Sequence, residues 1–386
     1  MRWLAALGAA AVWLGCLCLP AAALEGPAPS AQAEQWDLSG QLEAAGADEL
    51  WQALPGDAET LLDRSGVTGI DVGQLLSLEP GEFFRTVGAL VLERVRQPLA
   101  VFAAVLGTVL LCALLEALRT SLWEGALATV FGAVSVVCVS AAVAGPVSGC
   151  IVQTAAAIRD CANFMAAFIP VFASIVTVGG QAVTATTYTT FLFAACQVVS
   201  QVVSTTLVPL LGVYLAFCMV GNLAPGLQVN AVAKAVRTVV TWALGLLLTL
   251  FVGLLSLQTM VASSSDTVAS KAAKFLIGTF VPVVGGALSD ALSTTQGYLR
   301  LLKTAVGAFG ILAAALTFLP VLLQTVAWYL AVGAAAAASE LMGVEQVGEL
   351  LKGAGSALGI LIAVLLCFAL LVIISTSLVL LVAAGM

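Results

Sequence analysis

The residues able to do chemistry in this chain are few, and they gather in two places. Arg159, Asp160 and Asn163 stand ahead of Pro170 and the pair Gly179-Gly180. Lys271 and Lys274 stand ahead of Pro282 and Gly285-Gly286, with Asp290 just beyond. A charge placed in hydrocarbon costs about 3 kcal/mol or more, so it persists there for a reason. A proline followed by a glycine pair frees backbone carbonyls and N–H groups, which are tolerated at membrane depth only against protein or a water-filled cavity. The chemistry open to such a set is the binding and passage of polar solutes or protons, along a polar path lined by a pair of broken or re-entrant helices. The competing reading makes these residues interfacial helix ends, with Lys and Arg snorkelling to headgroups. Asp290, between Gly285-Gly286 and Thr294-Thr295, is the hardest of them to assign to an interface.

No catalytic constellation accompanies them. Histidine is absent from the chain, which removes the commonest general base and zinc ligand and every Ser-His or Cys-His nucleophile. Glu340, Glu345 and Glu349 read as a polar helix face, and neither a Walker-type phosphate loop nor a nucleophile elbow is present. The expectation is a protein that is not an enzyme, holds no cofactor or metal and does not power anything itself. Nucleic-acid binding has no basic footprint. None of the nine cysteines falls between residues 25 and 97, so a disulfide framework is not expected, and those in apolar runs read as small packed hydrophobes.

The elements that must position these residues follow from composition. Of the 386 residues 61% are hydrophobic and 9% charged, against about 45–50% and 25% in a soluble domain. The reading is an all-α polytopic membrane bundle. Residues 1–23 have the form of a signal peptide, with Arg2, an apolar stretch from Leu4 to Leu19 and small residues to Ala23; an uncleaved anchor helix is the alternative. Residues 24–97 read as a small acidic helical ectodomain, with 13 acids against 4 arginines between 25 and 97. Its last helix repeats apolar positions from Phe83 to Val95, a face suited to the membrane, a partner or the same molecule. The membrane domain is 98–386, with spans expected at about 99–118, 126–146, 162–179, 187–221, 238–260, 304–336 and 355–384, roughly seven in all. Pro209 and Gly212 leave the fourth run open between one kinked helix and two shorter ones.

Three ordered matches recur at similar offsets: Pro170 with Pro282, Pro209 with Pro320, and Val229–Lys234 with Val347–Lys352. They indicate a duplication of about 150–260 as 262–386. Copies that each cross the membrane an odd number of times have inverted topology, an arrangement that transporters use to build midplane sites.

The segment Lys271–Asp290, with Lys274-Phe275, Gly278, Phe280, Pro282, Gly285 and Asp290 in order, resembles the stage III sporulation protein AE family of endospore-forming bacteria. The secretory leader, small ectodomain, apolar body and serine-rich Ser263–Asp266 entry fit as well. The resemblance implies a multi-pass protein of the mother-cell membrane around the forespore. It would act in a secretion-like channel with the other products of its operon, which include a secretion-type ATPase and ring-forming membrane proteins, and with a forespore membrane partner. A free-standing secondary transporter of a small solute is the alternative. The resemblance carries no catalytic or binding residue over to this chain.

Overall fold

The structure, a computed structural model, describes residues 47–64, 80–122, 126–178, 180–223, 229–280 and 285–383, and the regular elements among them are all helical. Two short helices, α1 (Ala47–Gln52) and α2 (Gly56–Arg64), precede the long ones. These are α3 (Pro80–Leu122), α4 (Ala126–Val178), α5 (Ala182–Val202), α6 (Val208–Leu223), α7 (Val229–Phe280), α8 (Gly285–Leu341) and α9 (Glu345–Ala383). Among the described residues six stretches are long and apolar enough to cross a membrane: Gly88–Leu111, Val134–Val178, Ala182–Gly221, Ala231–Gln258, Leu302–Leu341 and Glu345–Ser377. The leader expected at 1–23 lies outside the described residues.

The difference from the expected seven spans has one local cause. The runs at 126–146 and 162–179 belong to a single helix, α4, whose 53 residues extend about 80 Å at 1.5 Å per residue. The polar residues between them do not interrupt it, because Gln153, Arg159, Asp160 and Asn163 all project from its exposed face. The run at 187–221 is likewise continuous. Ahead of Pro209 the chain passes through a π-helical turn, Val203–Leu207, in which the Val208 N–H donates to the Val203 carbonyl. The Thr205 hydroxyl donates to the Gln201 carbonyl at 2.6 Å beside it. Such a turn takes up the hydrogen bond that proline cannot make.

Proline elsewhere does not end helices either: Pro98, Pro146, Pro170 and Pro320 all lie inside unbroken ones. Each forfeits one bond to the carbonyl four residues back, a loss that packing neighbours absorb. The described turns at the ends of α4 and α8 are made by glycine. At Gly180, φ is +80°, with its N–H donating to the Thr177 carbonyl and the Gln181 N–H to that of Val176. At Gly343, φ is +77°, and the Gly343 and Val344 N–H groups donate to the Glu340 and Ser339 carbonyls. Both are Schellman caps, whose left-handed residue costs an L-amino acid about 1–2 kcal/mol. Nothing stands within 4 Å of a Cβ added at Gly343. Gly343→Ala is therefore expected to lower stability by about 1 kcal/mol through backbone strain alone, measurable as an earlier thermal transition of the detergent-solubilised protein.

Helix α8 is the axis of the bundle and packs on α2, α3, α4, α7 and α9. It runs antiparallel to α4: a Cβ at Gly310 would meet the Phe168 ring, Gly307 faces Phe172, and the Cys150 thiol bonds Thr325. It is antiparallel to α9 as well, through Gly307 with Leu380, Phe318 with Phe368 and Gly348 with Ser339. Small residues set these distances. Ala313, Ala314 and Ala315 are fully buried on α8, and close backbone approach is what holds helices together where lipid is as apolar as the core.

Residues 47–64 pack against the long helices. Leu50 and Leu62 are buried in the common core, Trp51 stacks on Phe309 at 6.2 Å, and α1 and α2 pack on α4 and α8. Helices of this length cannot bury their own apolar faces. Helix α3 carries the boundary expected at residues 97 and 98 straight through a buried Pro98.

Candidate functional site

The antiparallel register of α4 and α8 decides which polar residue enters the bundle. Phe172 lies against Gly307, so one turn earlier on α8 the side chain of Lys303 reaches the C-terminal end of α4. There Lys303 is 4% exposed, and its ammonium donates to the Gln181 side-chain oxygen at 3.0 Å. The C-terminal carbonyls of a helix carry the negative end of its dipole, so a cation is favoured at that position. The Schellman turn at Gly180 brings Gln181 back over the same end.

Gln181 opens α5, whose buried face continues through Thr184 and Tyr188. The Tyr188 hydroxyl is buried without a hydrogen-bond partner among the described residues. Its ring meets Phe172 edge-on at 5.6 Å, at the end of a ladder in which Phe164, Phe168 and Phe172 stack at 5.9 and 5.5 Å. The spacing of four residues places all three rings on one stripe of α4. The aromatic ladder fixes the wall of the site, and Lys303 supplies its charge.

A second polar locus sits further along α8. The Arg94 guanidinium of α3 donates to the Gln324 side-chain oxygen at 3.0 Å, and Thr154, Cys150 and Thr325 are buried nearby. The Thr154 hydroxyl has no partner among the described residues. The buried hydroxyls of α8 are satisfied on their own helix: Thr325 donates to the Val321 carbonyl at 2.7 Å and Thr317 to that of Ala313 at 2.8 Å. These back-bonds are local and need no ligand.

The residues singled out from sequence take other places. Arg159, Asp160, Asn163 and Pro170 are exposed on α4, and α4 does not break at Pro170 but ends ten residues later at the Gly180 turn. Lys271 is exposed near the end of α7. Gly285, Gly286 and Asp290 lie on the first turns of α8 and Lys274 on the last turns of α7, while their side chains lie outside the described residues. Gly179 and Pro282 lie outside the described residues altogether. No described contact brings the 159–163 cluster together with the 271–290 cluster.

Sequence reasoning missed Lys303, Arg94 and Gln324 as site residues. A basic residue at the start of an apolar run reads as a snorkelling helix end, and Arg300 three residues earlier strengthens that impression. The usable signal is that Lys303 falls on the same helical stripe as Gly307 and Gly310, which marks the face that a neighbouring helix approaches.

The family model described as stage III sporulation protein AE matches residues 69–385. A relative, the stage III sporulation protein AE of Bacillus subtilis (strain 168), is 28% identical over 155 residues, which is 40% of this chain and 39% of that protein. The chain therefore aligns with well under half of that relative's length. No solved structure matches the chain. Because the family model spans α3 to α9, including both polar loci and the resembling segment Lys271–Asp290, the chain belongs to the stage III sporulation protein AE family.

Proposed function

We propose that this chain is a non-catalytic, multi-pass membrane component of a secretion-like channel between mother cell and forespore, required for late forespore development. It sits in the mother-cell membrane around the forespore. It acts there with the other products of its operon, a secretion-type ATPase and ring-forming membrane proteins among them, and with a forespore membrane partner. The observation that carries the reading is the family match over residues 69–385, joined to a bundle with several membrane-length helices. Driving force comes from the ATPase partner, since the chain has no nucleotide-binding motif.

The test is spore formation in cells whose only copy carries Asp290→Asn, with membrane level followed by immunoblot. This change removes charge and nearly keeps shape. The expected result is arrest after engulfment at normal protein level, with Asp290 acting in the path or its assembly; normal sporulation would count against that role.

A second reading, a free-standing secondary transporter, is favoured by one observation. Lys303 lies at the C-terminal end of α4 beside a helix break, where transporters hold charged groups near a repeat interface. Element order supports the duplication behind it: Pro209 and Pro320 each lie in a long helical run, followed by a helix starting at Val229 or Glu345. Solute flux into vesicles containing this chain alone would support the transporter; dependence on the operon partners supports the channel.

A further inference from the structure

The bundle presents unlike outer surfaces at one depth. Residues 304–339 of α8 hold no Asp, Glu, Lys or Arg, more than enough to cross the roughly 30 Å of a hydrocarbon layer. The stretch begins beside Lys303 and holds Gln324 near its middle.

Helix register places other elements on the same scale. The Cys367 thiol donates to the Leu244 carbonyl at 3.9 Å, and the adjacent Phe368 meets Phe318, so this part of α7 is level with the middle of the stretch. There the large exposed side chains of α7 are apolar, Val239, Trp242, Leu246, Leu250, Leu254 and Leu257, and the exposed Thr238, Thr241 and Thr249 hydroxyls donate to carbonyls of their own helix. A stripe of this kind belongs against lipid.

On the elements around α4 and α8 the same depth is charged. Arg159 and Asp160 fall between the rungs Cys150–Thr325 and Phe168–Gly310, and both are exposed, as is Asn163. Beside Arg94, which bonds Gln324, the exposed Glu93 pairs with Arg64 of α2 at 4.0 Å. A lone chain would hold these charges in hydrocarbon, against a steep cost. They cannot face a path inside one chain, because the interior between α4, α8 and α9 is filled by Phe164, Phe168, Phe172, Phe309, Phe318 and Phe368, all under 2% exposed. A water-filled space beside the bundle removes the conflict.

We propose that copies of this chain assemble with their α3–α4 sides around a shared aqueous lumen and with α7 turned to lipid, so that the polar path runs between copies. The inference rests on the channel reading and makes this chain a pore-lining subunit. A second copy is the occupant that the charges favour. Both signs stand side by side at the exposed Arg159 and Asp160 of α4, so each copy offers its neighbour a complementary pair in a closed ring.

Asn163→Cys and Ser174→Cys on the exposed face of α4, and Leu250→Cys on α7, are each expressed as full-length chains in a host without other sporulation proteins. The parent carries Cys16→Ser, Cys18→Ser, Cys112→Ser and Cys138→Ser, because Cys138 is exposed on α4 and would itself be labelled. Membrane-impermeant maleimide is expected to label the α4 variants at least about tenfold faster than Leu250→Cys, since a thiol reacts as thiolate and ionises in water rather than in lipid. A bis-maleimide is expected to join the α4 variants into covalent dimers of this chain. Slow labelling at both α4 positions would overturn the lumen, and fast labelling with adducts only to other proteins, or none, would overturn the second copy. Either failure leaves the channel reading intact if Asp290→Asn still arrests spores, because the surface assay uses no sporulating cell.

Discussion

Lys303→Met is expected to leave the chain folded and at normal level in the membrane while reducing spore formation to that of a strain lacking the protein. Lys303 is 4% exposed and donates to Gln181 at 3.0 Å. An ion in that position is stabilised by an amide oxygen and a helix C-terminus, yet burial costs it several kcal/mol, so a matched apolar chain there is neutral or stabilising by about 1–4 kcal/mol. Gln181 is half-buried at the Gly180 turn, and its oxygen is left near the protein surface when the lysine is removed. A charge retained against such a cost points to function. The contrasting substitution is Lys303→Glu, which sets a carboxylate against the carbonyl end of α4 and is expected to lose about 3–5 kcal/mol and the membrane pool with it. Thermal unfolding in detergent, immunoblot and spore counts separate the outcomes. Normal spores in Lys303→Met would reduce the lysine to a structural tie between α8 and the α4–α5 turn.

Most of the architecture was legible because lipid imposes a simple rule: a spanning element is helical and apolar over about 20 residues. The runs at 238–260 and 304–336 each lie within one observed helix, and that at 355–384 follows α9 to its end at Ala383. What misled was punctuation. The motif of a proline followed by a glycine pair marks a break at Pro170 with Gly179-Gly180; Pro170 is exposed on an unbroken α4, and the turn comes at the left-handed Gly180 of the pair. The polar residues 153–163 were read as a gap between spans, whereas a helix carries them on one face without interruption. The short amphipathic stretches Ala47–Leu54 and Thr60–Arg64 are legible as helices, and their leucines join the common core. The buried lysine was least legible, since its burial depends on a register between α4 and α8 that no local pattern encodes. The family resemblance, by contrast, was carried by an ordered string of residues in one segment and was confirmed by the match over 69–385.

Gly310→Val is expected to cost the largest amount of stability of any single methyl-bearing change on α8, because the space a Cβ needs at that position is occupied by the ring of Phe168. The ring cannot move aside cheaply. It is held between Phe164 and Phe172 by stacking at 5.9 and 5.5 Å, and all three side chains are fully buried. Overpacking of this kind costs about 1–3 kcal/mol even for single methylenes, and more where the neighbour is locked. Gly310→Ala is expected to destabilise in the same sense by less, and Gly307→Ala by less again, because there the first atom met is the tip of Leu380, a flexible side chain with other rotamers open to it. The mechanism has its own control. Phe168→Leu opens a cavity and is destabilising alone, but combined with Gly310→Ala the two defects offset, so the double variant is expected to melt above the sum of the single losses. The rungs of α4 on α8 also set the depth of Lys303 against the end of α4. A Gly310→Val chain that still reaches the membrane is therefore expected to lose function together with stability, and recovery of spores in the Gly310→Ala, Phe168→Leu pair would trace that loss to the α4–α8 contact. Wild-type melting of Gly310→Ala would mean that α4 and α8 lie further apart than this packing requires, and the placement of Lys303 would fall with it.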